Sequence, residues 1–170
     1  ADLTNNRQCF LLYTTNDGNM ISINPEKFDA QIISHIYTDV GKIIFDRPIT
    51  AIGEAAFSGR ENLTSVTLPD GVTTIGAAAF SHCRGLIDIT IPDSVMTICK
   101  KAFDVCISLS NITIPMGITT IEESAFSCGS FTTVTIPSSV TTIRKRAFGG
   151  CRNLTSVSIP DSVIMIEDQA

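Results

Sequence analysis

Residues 63–85 read LTSVTLPDGVTTIGAAAFSHCRG, and the same pattern returns along most of the chain. An Ala-Phe pair recurs with its phenylalanine at Phe57, Phe80, Phe103, Phe126 and Phe148. The first three steps are 23 residues long and the last is 22, so one residue is missing near position 127. Self-similarity at a fixed period of this length is the signature of a repeat protein, in which stacked units share one core.

The repeats divide the chain into six units with common columns. The units span residues 40–62, 63–85, 86–108, 109–130, 131–153 and, in part, 154–170. Their shared pattern is Leu-x-x-Val/Ile-Thr-Ile-Pro-x-x-Val-Thr-x-Ile-x-x-x-Ala-Phe-x-x-Cys. The first unit is degenerate but in phase. The missing residue lies between Phe126 and Phe131, and if Cys128 keeps the cysteine column the gap falls beside Ser127.

Each unit opens with the alternation of a half-buried strand, in which Val66 and Leu68 point to one face and Thr67 to the other. Pro69 then ends the ladder because it has no N–H to donate. The apolar stretch 72–75 can pair weakly, and the Ala-Phe-x-x-Cys segment returns the chain through a single helical or 3-10 turn. We therefore predict an α/β repeat solenoid, right-handed, with one mainly parallel sheet of about six strands and short turns opposite.

Two internal columns follow from this stacking. Identical residues lie about one strand spacing apart, roughly 4.8 Å, so Phe80, Phe103 and Phe126 are expected in one core. Removing one such ring is expected to cost roughly 3–5 kcal/mol. The second column is cysteine, and small apolar thiols suit a tight column. Its members are Cys83, Cys106, Cys128 and Cys151.

The column spacing leaves two states of these thiols open. Neighbours near 5 Å apart are within disulfide range, but Arg60 fills the same slot in the first unit, so no bridge is required there. We predict that Cys83, Cys106 and Cys151 are buried and reduced. Cys9 and Cys99 lie off the column and receive no role.

These units resemble the BspA-like, Treponema-type leucine-rich repeats over residues 40–170, through the Leu, Ile-Pro, Val, Ile and Ala-Phe-x-x-Cys positions quoted above. Members of that family are displayed on or exported by bacteria of the gut and mouth and some protists, and they are linked to adhesion and protein binding. The resemblance implies a cell-surface or secreted protein with a binding role. It also implies an N-terminal segment like Leu12-Tyr13-Thr14-Thr15-Asn16-Asp17-Gly18 before the first repeat.

Residues 1–39 do not repeat, and we predict that they form an N-terminal cap containing a β-hairpin. The strands of that hairpin are residues 9–13 and 20–23, with Asn16-Asp17-Gly18-Asn19 as the turn. Asn24 and Pro25 are typical of a helix start, and residues 32–37 are a candidate strand. A cap covers the core and strand edge that a first coil exposes. The alternative is a separate ligand-binding module.

The bulk composition excludes several function classes. The 170 residues carry a net charge of −5, which gives no basic footprint for nucleic acid. The sequence contains no run of 18 apolar residues, so it predicts no membrane-spanning segment.

The two histidines suggest neither a catalytic nor a metal site. His82 lies beside Cys83 but lacks the base and orienting partner of a nucleophilic site and the four ligands of a zinc site, and His35 stands alone. We expect no cofactor, no metal and no catalytic residue.

The outward face of the main strands is the candidate binding surface. Solenoids often bind partners through such a face, although threonine ladders are also ordinary solvated strand surfaces. We predict a non-catalytic binding or adhesion module whose ligand is a protein or glycan. The alternative is a passive stalk within a longer repeat protein, and an enzyme ranks last. The face consists of Ser65, Thr67, Asp88, Thr90, Asn111, Thr113, Thr133, Thr135, Ser156 and Ser158.

The last unit stops in mid-repeat, because residues 166–170 align with residues 143–147 and no column phenylalanine follows. We expect that coil to be partly uncovered, at Leu154, Val157, Ile159, Val163 and Ile166. A longer natural protein or pairing with a second copy would explain the open end, and we favour the longer protein.

Overall fold

The computed structural model describes residues 9–170 as a β-solenoid preceded by antiparallel strands. The N-terminal elements are strand β1 (Phe10–Thr15), a 3-10 helix (Pro25–Lys27), strand β2 (Ile32–Tyr37) and strand β3 (Gly41–Phe45). Strand β3 pairs antiparallel with both β2 and β1. Strand β1 then pairs antiparallel with the first long repeat strand, so the N-terminal sheet continues into the solenoid.

The repeats form two rows of parallel strands instead of the one sheet of about six strands that the sequence predicts. The first row contains β5 (Leu63–Thr67), β7 (Asp88–Thr90), β10 (Thr133–Thr135) and β12 (Ser156–Ser158). The second row contains β4 (Ala51–Ile52), β6 (Thr74–Ile75), β8 (Thr97–Ile98), β9 (Thr120–Ile121), β11 (Thr142–Ile143) and β13 (Met165–Ile166). Neighbours pair one repeat apart, as Val66 with Ile89 and Ile75 with Ile98. The apolar stretch 72–75 and its equivalents in the other units, which the sequence predicts to pair weakly, therefore form the second row.

The Ala-Phe segments form turns and no helix, so the expected α component is absent from the repeats within residues 9–170. Hydrogen bonds from an N–H to the carbonyl three residues earlier bend the chain, for example from Ser58 N–H to the Ala55 carbonyl. Further bonds run between units, such as Phe57 N–H to the Ala79 carbonyl and Phe80 N–H to the Ala102 carbonyl. We call this hydrogen-bonded side of the solenoid the turn side.

The phenylalanine column is confirmed as one continuous stack on the turn side. The rings of Phe57, Phe80, Phe103 and Phe126 follow each other at centroid distances of 5.0, 5.3 and 5.6 Å, tilted by no more than 4°. Phe148 continues the stack at 5.6 Å. The side chains of Phe57, Phe80, Phe103 and Phe126 are essentially inaccessible to solvent, as a shared core requires.

The predicted hairpin between residues 9–13 and 20–23 is wrong. Residues 20–23 form no strand, and β1 pairs instead with β3 on one side and β5 on the other. The Tyr13 ring lies against Gly41, where a Cβ atom would clash with it, so the two strands approach closely at this cross-strand pair. The predicted strand at residues 32–37 and the helix start at Asn24 are confirmed, since the Asn24 side chain accepts from Glu26 N–H at 3.0 Å.

The segment before the repeats covers the end of the phenylalanine stack. Phe28 packs edge-on against Phe57 at 5.9 Å and makes an antiparallel bridge with Ile52. The carboxylate of Asp29 accepts hydrogen bonds from the Thr50 N–H at 3.0 Å and from the Ala51 N–H at 3.4 Å. The repeat pattern places strand β3 in the first unit, but within residues 9–170 its partners β1 and β2 are both antiparallel. The domain boundary after residue 39 stays a prediction.

The missing residue of unit 109–130 lies after Gly129, not beside Ser127. The Cys128 N–H bonds to the Gly149 carbonyl, as His82 N–H does to Asp104 and Val105 N–H to Ser127. Cys128 thus occupies the His82 position and Gly129 the cysteine position. A Cβ on Gly129 would lie inside the Phe131 ring, so the larger ring at the leucine position fills the space that a cysteine would occupy.

Both rows of strands are interrupted at one junction, between units 86–108 and 109–130. Among residues 9–170, residues 111–114 make no strand pairing and no backbone hydrogen bond, and none joins residues 96–98 to 119–121. At three of the other junctions a serine hydroxyl bonds the preceding unit, for example from Ser94 to the Val72 carbonyl at 2.8 Å and from Ser139 to the Ile118 carbonyl at 2.7 Å, whereas Gly71 holds this position in unit 63–85. Gly117 occupies that serine position and supplies no hydroxyl.

The last unit is partly uncovered, as the sequence predicts. Val157, Ile159 and Ile166 are 37%, 49% and 56% exposed, whereas Leu154 and Val163 are half-buried. With Phe148, the side chains of Leu154, Val157, Ile159 and Ile166 border a cavity of about 410 Å³.

Candidate binding face

The ten residues predicted from the sequence lie on one outward face of the first row, which we call the strand face. Ser65 and Asp88 are register partners, as are Thr67 and Thr90. At the other end of the solenoid Thr133 pairs with Ser156 and Thr135 with Ser158. Nine of the ten are exposed and Ser65 is half-buried. The intervening residues Val66, Ile89 and Val134 point into the core and are buried, which confirms the alternation that the sequence predicts.

Ser65 is set apart from the other nine by the N-terminal strands. Its hydroxyl lies 2.6 Å from the Thr14 hydroxyl on β1, and Thr14 also contacts the Thr64 hydroxyl at 2.7 Å. Strand β1 therefore covers this edge of β5 and uses the hydrogen-bonding capacity of Ser65. The accessible strand face begins at Thr67 and runs towards the C-terminal units.

A groove opens in the strand face where the rows are interrupted. Its volume is about 490 Å³. Asn111, Thr113, Thr133 and Thr135 line it, together with Asp93 and Met116, which the sequence reasoning did not include. Ile112, Ile114 and Pro137 form its apolar part. A signal existed for this departure, because Met116-Gly117 replaces the Asp-Ser, Asp-Gly or Ser-Ser that follows the other repeat prolines.

The electrostatic character of this face is neutral to acidic. Asp88 and Asp93 are exposed carboxylates, and the remaining polar groups of the groove are hydroxyls and one carboxamide. No lysine or arginine lines the groove. Such a surface has hydrogen-bond donors and acceptors but attracts no anion.

The column thiols face the core and act there as hydrogen-bond donors. The Sγ atoms of Cys83, Cys106 and Cys151 donate to the carbonyl oxygens of Phe57, Phe80 and Phe126, at 3.0, 3.1 and 3.2 Å. Burial raises the pKa of Cys83 to about 12 and also raises the pKa of Cys106. Thiolates, which are the reactive form, are therefore disfavoured.

The reduced state predicted for Cys83, Cys106 and Cys151 is confirmed, since all three are unbridged. Cys83 and Cys106 are buried, but Cys151 is only half-buried, so the prediction of burial is wrong for that residue. Cys151 belongs to the penultimate unit, where the last coil covers the core incompletely. Cys128 is half-buried on the turn side, outside the column in which the sequence reasoning placed it.

The histidines serve local hydrogen bonds. His35 Nε2 lies 2.7 Å from the Tyr13 hydroxyl, and burial lowers the pKa of His35. The Tyr13 hydroxyl also accepts a hydrogen bond from the Ile21 N–H at 3.3 Å. His82 contacts the Ser81 hydroxyl at 2.8 Å. Within residues 9–170 no cluster of three or more His, Cys, Asp or Glu side chains could hold a metal ion.

No helix in the part of the chain described here is long and apolar enough to cross a membrane. The helical content of that part consists of the 3-10 helix at Pro25–Lys27.

Comparison with known proteins agrees with this architecture. The profile of the BspA type leucine rich repeat region matches residues 50–170 in six copies. A leucine-rich repeat protein from Bacteroides ovatus is 35% identical with a TM-score of 0.67, over 88% of this chain and 35% of that protein. The Treponema pallidum leucine rich repeat protein is 31% identical with a TM-score of 0.60, over 71% of this chain and 68% of that one.

A third solved structure is a leucine rich cell surface protein from Faecalibacterium prausnitzii. It is 32% identical with a TM-score of 0.50, over 64% of this chain and 36% of that protein. The chain thus spans about a third of the length of the Bacteroides and Faecalibacterium proteins. No curated protein matches it. The repeat columns, the β-solenoid and the matched profile together show that this chain belongs to the BspA-type leucine-rich repeat family.

Proposed function

We propose that the chain is a non-catalytic binding or adhesion module of an exported or cell-surface protein. Its ligand is a protein or a glycan, and the accessible strand face makes the contacts. The module comprises a capping segment, residues 1–39, and the solenoid of residues 40–170. Leucine-rich repeats are typically non-catalytic scaffolds, and we propose that this one needs no cofactor.

The observation that carries this proposal is the strand face itself. Nine exposed polar side chains lie in two columns along the solenoid, and the intervening residues Val66, Ile89 and Val134 are buried. Rigid stacking fixes the spacing of these groups before any ligand arrives, so little conformational entropy is lost on binding. The thiols of Cys83 and Cys106 are turned away from this face into the core. The surface location rests on the Faecalibacterium protein, which is described as a cell surface protein.

A passive stalk is the second candidate, and the turn side favours it. The phenylalanine stack and the hydrogen bonds between turns continue through every junction from Phe57 to Phe148. Such a continuous core suits a spacer in a longer repeat array. Self-association through the open last coil is a further possibility within this candidate, because apolar side chains are exposed there.

Binding of the whole chain to immobilised extracellular-matrix proteins and to a glycan array separates these candidates. The test variant is Thr90→Lys with Thr135→Lys, which places two bulky charges on the strand face. The matched control is Thr97→Lys with Thr119→Lys, at exposed positions in β8 and immediately before β9. We expect a ligand that the wild type and the control bind and the test variant binds at least tenfold more weakly. Equal binding by both variants, or no ligand at all, would favour the stalk.

A further inference from the structure

The groove in the strand face differs from the rest of that face in its backbone. Elsewhere in the first row the peptide groups are taken up by neighbouring strands. Residues 111–114 form no such pairing with any part of residues 9–170. Backbone N–H and C=O groups left this way require hydrogen bonds from water or from a ligand. We propose that this groove is the ligand-binding site of the strand face and that it takes a neutral oligosaccharide; the inference rests on the proposed binding function.

An inserted peptide strand does not fit the interruption. A strand placed between two units needs about twice the ordinary strand spacing of ~4.8 Å. On the turn side the same two units remain in contact, with the Phe103 and Phe126 rings 5.6 Å apart. The Lys101 N–H also bonds the Glu123 carbonyl at 2.9 Å. The units therefore cannot separate enough, and a ligand must lie across the outer surface of the groove.

The polar groups of the groove match the hydroxyls of a sugar. Each sugar hydroxyl both donates and accepts a hydrogen bond, as the hydroxyls of Thr113, Thr133 and Thr135 do. The carboxamide of Asn111 adds a donor pair and an acceptor, and the Asp93 carboxylate adds acceptors. These five side chains project from three successive units, so a ligand spanning them extends along the solenoid axis. That arrangement suits a chain of several sugar rings.

The charge of the groove decides between classes of glycan. It contains the Asp93 carboxylate and no lysine or arginine, so sulfated or sialylated chains would meet repulsion without a compensating cation. The apolar part supplies the remaining contacts. Met116 is 61% exposed and Ile112 is half-buried, so both present hydrocarbon to the C–H face of a sugar ring. A neutral, hydroxyl-rich ligand satisfies all of these groups together.

The test is a glycan array carrying neutral, sulfated and sialylated chains, followed by titration of the best neutral oligosaccharide into the whole protein. Backbone amide NMR shifts locate the site. We expect the largest shifts at residues 111–116 and 133–135. The variant Asn111→Ala with Thr133→Ala should weaken binding about tenfold, the loss of one to two hydrogen bonds. The control Thr97→Ala, in the second row, should leave it unchanged.

The outcomes separate this inference from the proposed function. Preference for sulfated chains, or shifts confined to the N-terminal strands, would overturn the neutral-glycan site. A second outcome is that the strand face binds a matrix protein, or a cationic peptide such as octalysine, but no neutral glycan. That result would overturn the proposal of a neutral oligosaccharide and would still support the proposed binding function. Absence of any ligand for the strand face would overturn both.

Discussion

The junction between units 63–85 and 86–108 and the next junction along the chain are built from the same repeat but are held differently. At the first, paired strands join both rows, and Ser94 bonds the Val72 carbonyl. At the second, between units 86–108 and 109–130, neither row is paired and Gly117 lacks the serine hydroxyl. Only the turn side continues unchanged, through the ring pair Phe103–Phe126. The turn side therefore keeps its regular contacts at the junction where both rows of strands lose theirs.

The largest test of this comparison removes the ring at the interrupted junction. Phe103→Ala leaves a cavity between two stacked rings and should lower the free energy of unfolding by roughly 3–5 kcal/mol. Because neither row of strands is paired at this junction, urea unfolding followed by circular dichroism should separate into two transitions. Phe80→Ala, at the paired junction, should cost a similar amount and keep one transition. Coincident single transitions in both variants would show that the interruption does not weaken coupling.

The second test concerns the junction between the N-terminal segment and the first repeats, which depends on one carboxylate. Asp29 is partly buried, which raises its pKa, but hydrogen bonds from Thr50 and Ala51 outweigh burial and hold the pKa below its ordinary value near 3.8. The folded pKa is thus the lower one, so this stabilisation is present above the ordinary pKa and is lost as the pH falls through the folded value.

Asp29→Ala should lower the free energy of unfolding by about 1–2 kcal/mol, as loss of a capping side chain does. The measurement is unfolding at pH 7 and again near pH 3, where the difference between variant and wild type should shrink. Asp161→Ala, at an exposed position in the last unit, serves as the control and should change little. A difference that grows on acidification would contradict the assigned role.

The third test restores the missing contacts. Gly117→Ser supplies the hydroxyl, and its Cβ would lie 3.1 Å from the Val95 carbonyl, in the position where other units make this bond. That Cβ also meets the flexible end of Met96, so Met96→Thr is made with it, as threonine stands at this position in four other units. We expect a gain of about 1 kcal/mol, and slower hydrogen exchange at residues 96–98 and 119–121. Unchanged exchange there would mean that Gly117 is not the cause.

The smallest test addresses backbone strain on the turn side. Val105 has φ of +60° and its N–H bonds the Ser127 carbonyl at 3.1 Å, across the interrupted junction. A β-branched residue is unfavourable in this left-handed region, which asparagine tolerates better. Val105→Asn should raise the free energy of unfolding by about 0.5 kcal/mol, part of the relief being offset by lost packing. His82→Asn, at the same position of the paired junction, should change it less, because histidine is already tolerated there.

The sequence by itself determined the repeat, its core and its outward face. The 23-residue period places Phe57, Phe80 and Phe103 in one column, and period-2 alternation separates buried Val66 from exposed Thr67. These features are local and recur in each unit, so every unit independently predicts the same buried and exposed positions. Cell-surface binding was inferred from family resemblance and stays a proposal.

Only the tertiary structure decided where the regularity ends. The choice of β3 and β5 as partners of β1 depends on long-range contacts such as Tyr13 against Gly41, which no local pattern encodes. The position of Cys128 was ambiguous in sequence because one deletion fits several alignments, and hydrogen bonding to Gly149 resolved it. The groove at residues 111–114 lies at the junction where Gly117 faces the Val95 carbonyl of the neighbouring unit without a hydroxyl, and this relation between two units is visible only in three dimensions. Periodicity specifies what the units share, whereas contacts between particular units specify how they differ.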